Sequence, residues 1–126
     1  MRQWKRRSPM RELDLGAALQ VAFPYAFPRL MIQRRNIVNV ETKAGWIARA
    51  GIRGQADFYI MGAGVHVEVE TKSAKPKWYA AQVAWRDRCA SLGIPYVALR
   101  ALPKEAPDVT ITRWLEELRC ILGRVR

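Results

Sequence analysis

Three charged side chains within residues 54–72 (GQADFYIMGAGVHVEVETK) are of types that can do chemistry together. Asp57 follows Gly54 after a gap of two residues. Glu70 and Lys72 end the segment with one residue between them. An aspartate and a glutamate can share a divalent cation, and Mg²⁺ needs few protein ligands because it keeps several waters. A lysine beside them can position a water or balance charge on a phosphate, so the set fits metal-dependent hydrolysis of a phosphodiester.

Two strands of a hairpin would position these side chains. Residues 57–61 and 65–72 have the composition of strands, and Gly62-Ala63-Gly64 between them is typical of a turn. In such a hairpin Asp57 would lie near Glu70 across the pair. Side chains alternate along a strand, so the valines of the second strand share one face, and the opposite face carries His66, Glu68, Glu70 and Lys72.

Two more residues of the second strand bear on this candidate site. The backbone carbonyl of Thr71 is the simplest third ligand for a cation shared by Asp57 and Glu70. Glu68 is an additional acid on the same face, and it can either support the ligands or compete for their role. Glu70 is the better candidate because the Glu-x-Lys spacing keeps it in register with Lys72.

Periodicity and helix breakers place the remaining elements in the order α, β, β, β, α, β, α, which is an α/β fold in one domain. Ser8-Pro9 is typical of a helix start, and Pro24 is expected to stop that helix. Segment 41–54, rich in glycine and charge, is expected to be a loop. The other predicted elements are a first helix over 9–23, a strand within 31–40, a second helix over 77–92, a strand over 95–99 and a last helix over 111–122.

One polar residue interrupts the apolar side of the second predicted helix. Gln82 falls within a stripe that recurs at steps of three and four, made of Trp78, Ala81, Trp85, Cys89 and Leu92. A buried amide must find hydrogen-bond partners or cost about 1–3 kcal/mol. Gln82 therefore either bonds loop backbone or faces the strand that carries Glu70 and Lys72.

The net charge points to a polyanionic partner. Lysines and arginines number 22 against 11 acids, a net charge of +11 on 126 residues. Nucleic acid is the first candidate and an anionic membrane surface the second, while the alternative is a merely solubilising surface. The residues expected to contact nucleic acid are Arg34, Arg35, Arg53, Lys75 and Lys77.

Several classes of protein are disfavoured by what the sequence lacks. Cys89 and Cys120 form no metal or disulfide pattern, and both are expected to be small core residues. No apolar run has the length of a signal peptide core or a membrane span, so an intracellular, reducing compartment is expected. No phosphate-binding glycine loop or dinucleotide fingerprint occurs, which disfavours a nucleotide cofactor.

The ordered set of motifs resembles the virus-type replication-repair nuclease (VRR-NUC) domain of the PD-(D/E)xK nuclease superfamily. The matching residues are Gly54 and Asp57, then Glu70-Thr71-Lys72, Gln82, Gly93 and the apolar strand IPYVAL. Ala56 departs from the family, where proline often precedes the aspartate. The resemblance covers Pro9 to about Leu99.

This resemblance implies a fold, a site and a substrate. The fold would be a restriction-endonuclease-like core, a central mixed β-sheet flanked by helices. Asp57 and Glu70 would bind Mg²⁺ or Mn²⁺ with the Thr71 carbonyl, Lys72 would be the catalytic lysine, and Gln82 would support the site. Glu12, in the first helix, would reach the metal site through water or orient a neighbour. The activity would be a structure-specific DNA endonuclease, most simply a homodimeric resolvase of four-way junctions in the cytoplasm of a bacterial or phage-infected cell.

Other functions remain open at this point. A non-catalytic basic module on a nuclease fold would explain the charge but leave the Asp57, Glu70 and Lys72 set without a role. An RNA-directed nuclease or RNA-binding protein is equally compatible with a charge of +11. A structural interaction protein is the third alternative.

Overall fold

The computed structural model describes residues 12–35, 39–41, 47–49 and 54–123. These residues form three helices and six strands in the order α1, β1, β2, β3, β4, β5, α2, β6, α3. Their bounds are α1 Glu12–Ala26, β1 Met31–Arg34, β2 Asn39–Glu41, β3 Ile47–Arg49, β4 Phe58–Gly62, β5 Val65–Lys72, α2 Ala80–Ser91, β6 Tyr96–Arg100 and α3 Pro107–Leu122.

Four strands form a mixed sheet in the order β1-β4-β5-β6. β1 pairs antiparallel with β4, and β4 antiparallel with β5 through the predicted glycine turn. β6 returns parallel to β5 after the crossover through α2. The fold is therefore α/β with a mixed sheet flanked by helices, as predicted and as a restriction-endonuclease-like core requires.

One face of the sheet builds the hydrophobic core. The valines of β5 lie on it, where Val67 and Val69 are buried with Phe58 and Ile60 of β4. Two helices cover this face with side chains that recur every four residues, which is the spacing of one helical face. The buried residues are Leu15, Leu19 and Phe23 of α1 and Trp114, Leu118 and Leu122 of α3.

α2 lies on the opposite, polar face of the sheet, and this placement corrects the predicted stripe. The helix begins at Ala80, so Trp78 precedes it, and Leu92 is 57% exposed. Only Cys89 of this helix is buried. The physical reason is that α2 packs beside charged residues of β5, which removes the need for a continuous apolar face.

Some predicted boundaries and burials were also wrong. α1 continues through Pro24 to Ala26. Pro24 lies in the last turn, so the backbone hydrogen bond that it removes affects only the end of the helix. Segment 41–54 is not entirely a loop, since β2 and β3 pair antiparallel. Cys120 is exposed, whereas Cys89 is buried as predicted. Among the described helices, none is long and apolar enough to cross a membrane.

Candidate active site

The register of the β4–β5 hairpin places Asp57 opposite Glu70. Phe58 pairs with Val69, so the next residues outward are Asp57 and Glu70. The backbone of Asp57 is tied on its other side, where its carbonyl accepts a hydrogen bond of 2.8 Å from the Arg35 N–H. The predicted proximity of the two acids across the hairpin therefore agrees with the strand register.

The Asp57 carboxylate is fixed against the end of β5. Its Oδ2 accepts hydrogen bonds from the Thr71 backbone N–H at 3.1 Å and from the Thr71 hydroxyl at 2.9 Å. Within the described chain both hydrogen bonds to this carboxylate end on Oδ2. Thr71 thus orients Asp57, and the ligand role of its own carbonyl stays a prediction.

Lys72 holds its ammonium group inside the site. The side chain is 5% exposed, and its Nζ donates to the Lys77 carbonyl and to Gln82 Oε1, both at 2.8 Å. The same Nζ lies 3.7 Å from Glu70 Oε1 and 4.5 Å from the centroid of the Trp78 ring. Because several groups define its position, the charge is preorganised beside the buried Glu70.

The orientation of the Gln82 amide follows from its two donors. Its Oε1 accepts from Lys72 Nζ and, at 3.1 Å, from the Tyr79 backbone N–H. The amide nitrogen of Gln82 therefore points toward Glu70, and its Nε2 lies 3.4 Å from Glu70 Oε1. Gln82 faces the strand that carries Glu70 and Lys72 and also bonds the loop backbone at Tyr79, so both of its predicted interpretations hold. Its catalytic support remains a prediction.

Glu68 belongs to a separate buried cluster that the sequence reasoning missed. The Arg35 guanidinium binds it through two contacts of 2.6 and 2.8 Å. His66 Nε2 lies 2.6 Å away, and the Trp85 indole donates at 3.1 Å. Burial acts to raise the pKa of Glu68, but the hydrogen bonds from Arg35 and His66 outweigh it and hold that pKa below its usual value. Glu68 is thus an anchor for Arg35, and a cation would have to compete with four contacts to reach it.

A cleft of about 630 Å³ opens beside these residues. Gly54 closes one wall with a φ of +85°, and a β-carbon there would lie 2.1 Å from the Ala81 carbonyl oxygen. Only glycine therefore permits the loop before β4 to contact the start of α2. The residues that line the cleft are Gly54, Gln55, Asp57, Tyr79, Ala80, Ala81 and Gln82.

The other predicted residues are placed as follows. Arg34 ends β1, with its guanidinium carbon 5.2 Å from the Phe58 ring centroid. Lys75 and Lys77 are exposed in the segment between β5 and α2. The Arg35 side chain, engaged by Glu68, is 17% exposed. Arg53 and the side chain of Glu12 lie outside the described residues, and every nucleic-acid contact stays a prediction.

The donor set fits a magnesium-like cation that keeps most of its waters. Across residues 12–35, 39–41, 47–49 and 54–123, no three histidine, cysteine or acidic side chains gather into a metal cluster. Asp57 and Glu70 nevertheless supply two hard carboxylates where β4 meets β5 in the sheet, and Mg²⁺ is commonly held by one or two carboxylates plus substrate phosphates. The geometry suits such an open site better than an all-protein cage.

Comparison with protein families and curated proteins identifies no relative of this chain. No protein-family model matches the chain, and no curated protein matches it significantly. The likeness to the VRR-NUC domain rests on the motif residues themselves.

Proposed function

We propose that this chain is a metal-dependent nuclease of the PD-(D/E)xK type, similar to VRR-NUC domains, that hydrolyses DNA phosphodiester bonds. One observation carries the proposal: the Lys72 ammonium lies 3.7 Å from the buried Glu70 carboxylate and is held by Gln82. Asp57 lies across the hairpin from the same glutamate. This is the set of groups that the chemistry requires.

Energetics favour a functional reason for these buried charges. Lys72 and Glu70 are 4% and 1% exposed, and an ion pair removed from water is often no more stabilising than well-packed apolar residues of the same volume. A site that must hold a cation and a phosphate needs these charges.

Each residue has a distinct task in the proposed reaction. Asp57 and Glu70, with the Thr71 carbonyl, would hold Mg²⁺ or Mn²⁺, and such a cation supplies Lewis-acid activation of a water and neutralises charge on the phosphate. Lys72 stabilises developing negative charge or orients the water through its ammonium protons. Gln82 fixes the Lys72 ammonium against Glu70, so that the donor is already aligned.

The proposed substrate is branched DNA, cut by a homodimer. A net charge of +11 favours association with the phosphate backbone. Two nearly symmetric cuts across a four-way junction need two active sites related by a twofold axis, which a symmetric dimer provides. The setting that fits this substrate is the cytoplasm of a bacterial or phage-infected cell.

The test is cleavage of a labelled four-way junction beside linear duplex and RNA, with Mg²⁺, Mn²⁺ or a chelator. The wild type is expected to cut the junction only with metal, and Lys72→Ala to lose at least about 10²-fold in rate. Arg119→Ala, which removes one positive charge from an exposed position of α3, is the matched control and should cut normally. Tight binding with no cutting under any metal would leave a non-catalytic basic module, and preferential cutting of RNA would reassign the substrate.

A further inference from the structure

Tyr79 is an exposed aromatic residue that the proposed chemistry does not use. Tyr79 lines the cleft together with Asp57 and Gln82. The residue is 56% exposed although it lies beside the most buried polar cluster of the described chain. An aromatic ring that faces solvent next to a polar cleft is a surface on which a flat ligand can stack.

The position of Tyr79 is coupled to the catalytic lysine. Its backbone N–H donates to Gln82 Oε1 at 3.1 Å, and that oxygen also accepts from Lys72 Nζ at 2.8 Å. Lys72 donates in addition to the carbonyl of Lys77, two residues before Tyr79. The segment before α2 is therefore fixed to the site at two points, which positions the backbone that carries the ring.

The surroundings of the ring suit a nucleotide. The cleft of about 630 Å³ falls within the range of small-ligand sites. The Lys77 ammonium lies over the Tyr79 ring, 5.2 Å from its centroid, which places a cation on one face of the aromatic surface. An aromatic platform combined with a cation is the arrangement by which proteins hold unpaired bases and their phosphates.

We propose that this cleft binds an unpaired nucleotide next to the scissile phosphate, with its base stacked on Tyr79 and Lys77 beside its phosphate. The inference rests on the proposed nuclease function and names its substrate class. In an intact duplex both faces of a base are covered by neighbouring bases, so only a nucleotide outside the stack can reach the ring. The substrate is then DNA with unpaired nucleotides at the cut, such as a branch point, a flap or a single strand.

Binding without cleavage tests this inference apart from the enzyme claim. The full chain is titrated, in the presence of chelator, with a flapped DNA and with a blunt duplex of equal length. Tyr79→Ala is expected to weaken flap binding by about 5- to 150-fold and to leave duplex binding unchanged, and Tyr79→Phe to retain flap binding. The matched control is Tyr25→Ala, which removes a tyrosine that is 88% exposed on α1 and should change neither affinity.

Photo-crosslinking gives a second, direct readout. Flaps that carry 5-iodouracil at successive unpaired positions are irradiated in complex with the wild-type chain, and the adduct is located by mass spectrometry. We expect an adduct on Tyr79 from one position near the junction. Equal flap affinity of wild type and Tyr79→Ala, or adducts confined to other residues, would overturn the inference. Absence of metal-dependent cutting would instead count against the nuclease proposal, whatever the crosslink shows.

Discussion

Glu68 and Glu70 are neighbours on one face of β5, yet their partners differ in kind. Glu68 forms an ion pair with the Arg35 guanidinium and is also contacted by His66 and the Trp85 indole. Glu70 lies beside the Gln82 amide and the Lys72 ammonium, and the strand register places it opposite Asp57. The first environment fixes a structural carboxylate, and the second is the one in which the proposed cation would bind.

Metal-induced stabilisation should therefore distinguish the two glutamates. Saturating Mn²⁺ is expected to raise the melting temperature of the wild type. At a hundredfold excess over Kd, the free energy of unfolding should increase by about 2.7 kcal/mol. Glu70→Gln should lose this shift. Glu68→Gln should lower stability without metal by roughly 3–5 kcal/mol, because it leaves the Arg35 charge without its partner, and should keep the shift. If the metal-induced shift in melting temperature persisted in Glu70→Gln and vanished in Glu68→Gln, the cation would have to bind at Glu68.

Tyr96 presents a different kind of buried polar group. Its hydroxyl is buried and, among the described residues, has no hydrogen-bond partner. Burial, with the nearby charge of Glu70, raises the pKa of this phenol. Tyr96→Phe should stabilise the protein by about 1 kcal/mol in denaturant unfolding, since an unsatisfied buried hydroxyl is destabilising. Tyr25→Phe, at an exposed position, should change nothing, and a clear loss of stability in Tyr96→Phe would show that the hydroxyl is engaged.

At the scale of elements, local patterns predicted the β4–β5 hairpin and β6 because alternation and glycine turns act over a few residues. β5 has the predicted bounds, and with it the predicted face of Glu68, Glu70 and Lys72. The partner of Arg35 was not predictable, because residue 68 is 33 positions away and the two meet only once β1 pairs with β4 beside the β4–β5 hairpin. α2 was misjudged for a similar reason, since its burial depends on which face of the sheet it covers.

The contact between Gly54 and α2 should be essential to the site. Gly54→Ala would place a β-carbon 2.1 Å from the Ala81 carbonyl oxygen and push the helix start, with Gln82, away from Asp57. A displacement of about 1 Å can cost 10²-fold in rate, so cleavage should fall by at least that factor. Gly64→Ala is the matched control, because its φ of +77° imposes similar backbone strain with no atom within 4 Å. Equal losses in both variants would attribute the effect to strain alone.

An ionic cluster fixes the loop between β6 and α3. Glu105 accepts from Arg113 at 3.0 and 2.8 Å and from the Thr110 hydroxyl at 2.7 Å. Arg113 also donates to the carbonyl of Arg100, at the end of β6. These hydrogen bonds, from Arg113 first and Thr110 second, lower the pKa of Glu105 from 4.5 to about 2.

Stability should depend on pH through this carboxyl. Because its pKa is depressed in the folded state, its contribution is complete above the usual value of 4.5 and is lost as the pH falls toward 2. Glu105→Gln should thus have a lower denaturation midpoint than the wild type at pH 7, and the difference should shrink at pH 2.5. Glu116→Gln, whose side chain is 65% exposed, is the control and should show little difference at either pH. A Glu105→Gln effect that is constant with pH would rule out this linkage.

At the scale of the whole molecule, one face of the sheet forms the hydrophobic core and the other carries the charged site. α1 and α3 cover the apolar face and form the core together with it, whereas α2 and the polar face hold the charged site. Lys75 and Lys77 are exposed in the segment that joins this polar face to α2. Of the candidate nucleic-acid contacts, these two lie in the segment that ends at the cleft, so they should bear most directly on DNA binding there.

Salt dependence measures this contribution. If Lys75 and Lys77 each neutralise one phosphate, the double alanine variant should reduce the slope of log K against log salt by roughly 1.4 to 1.8, the lower figure for single strands and the higher for duplex. The matched control, Arg29→Ala with Arg119→Ala, also removes two positive charges but from a cleft between α1 and the end of α3. Net charge alone would alter both slopes equally. A selective change in the lysine variant would instead locate the phosphate path beside Tyr79 and Lys72, where a bound strand can reach the site.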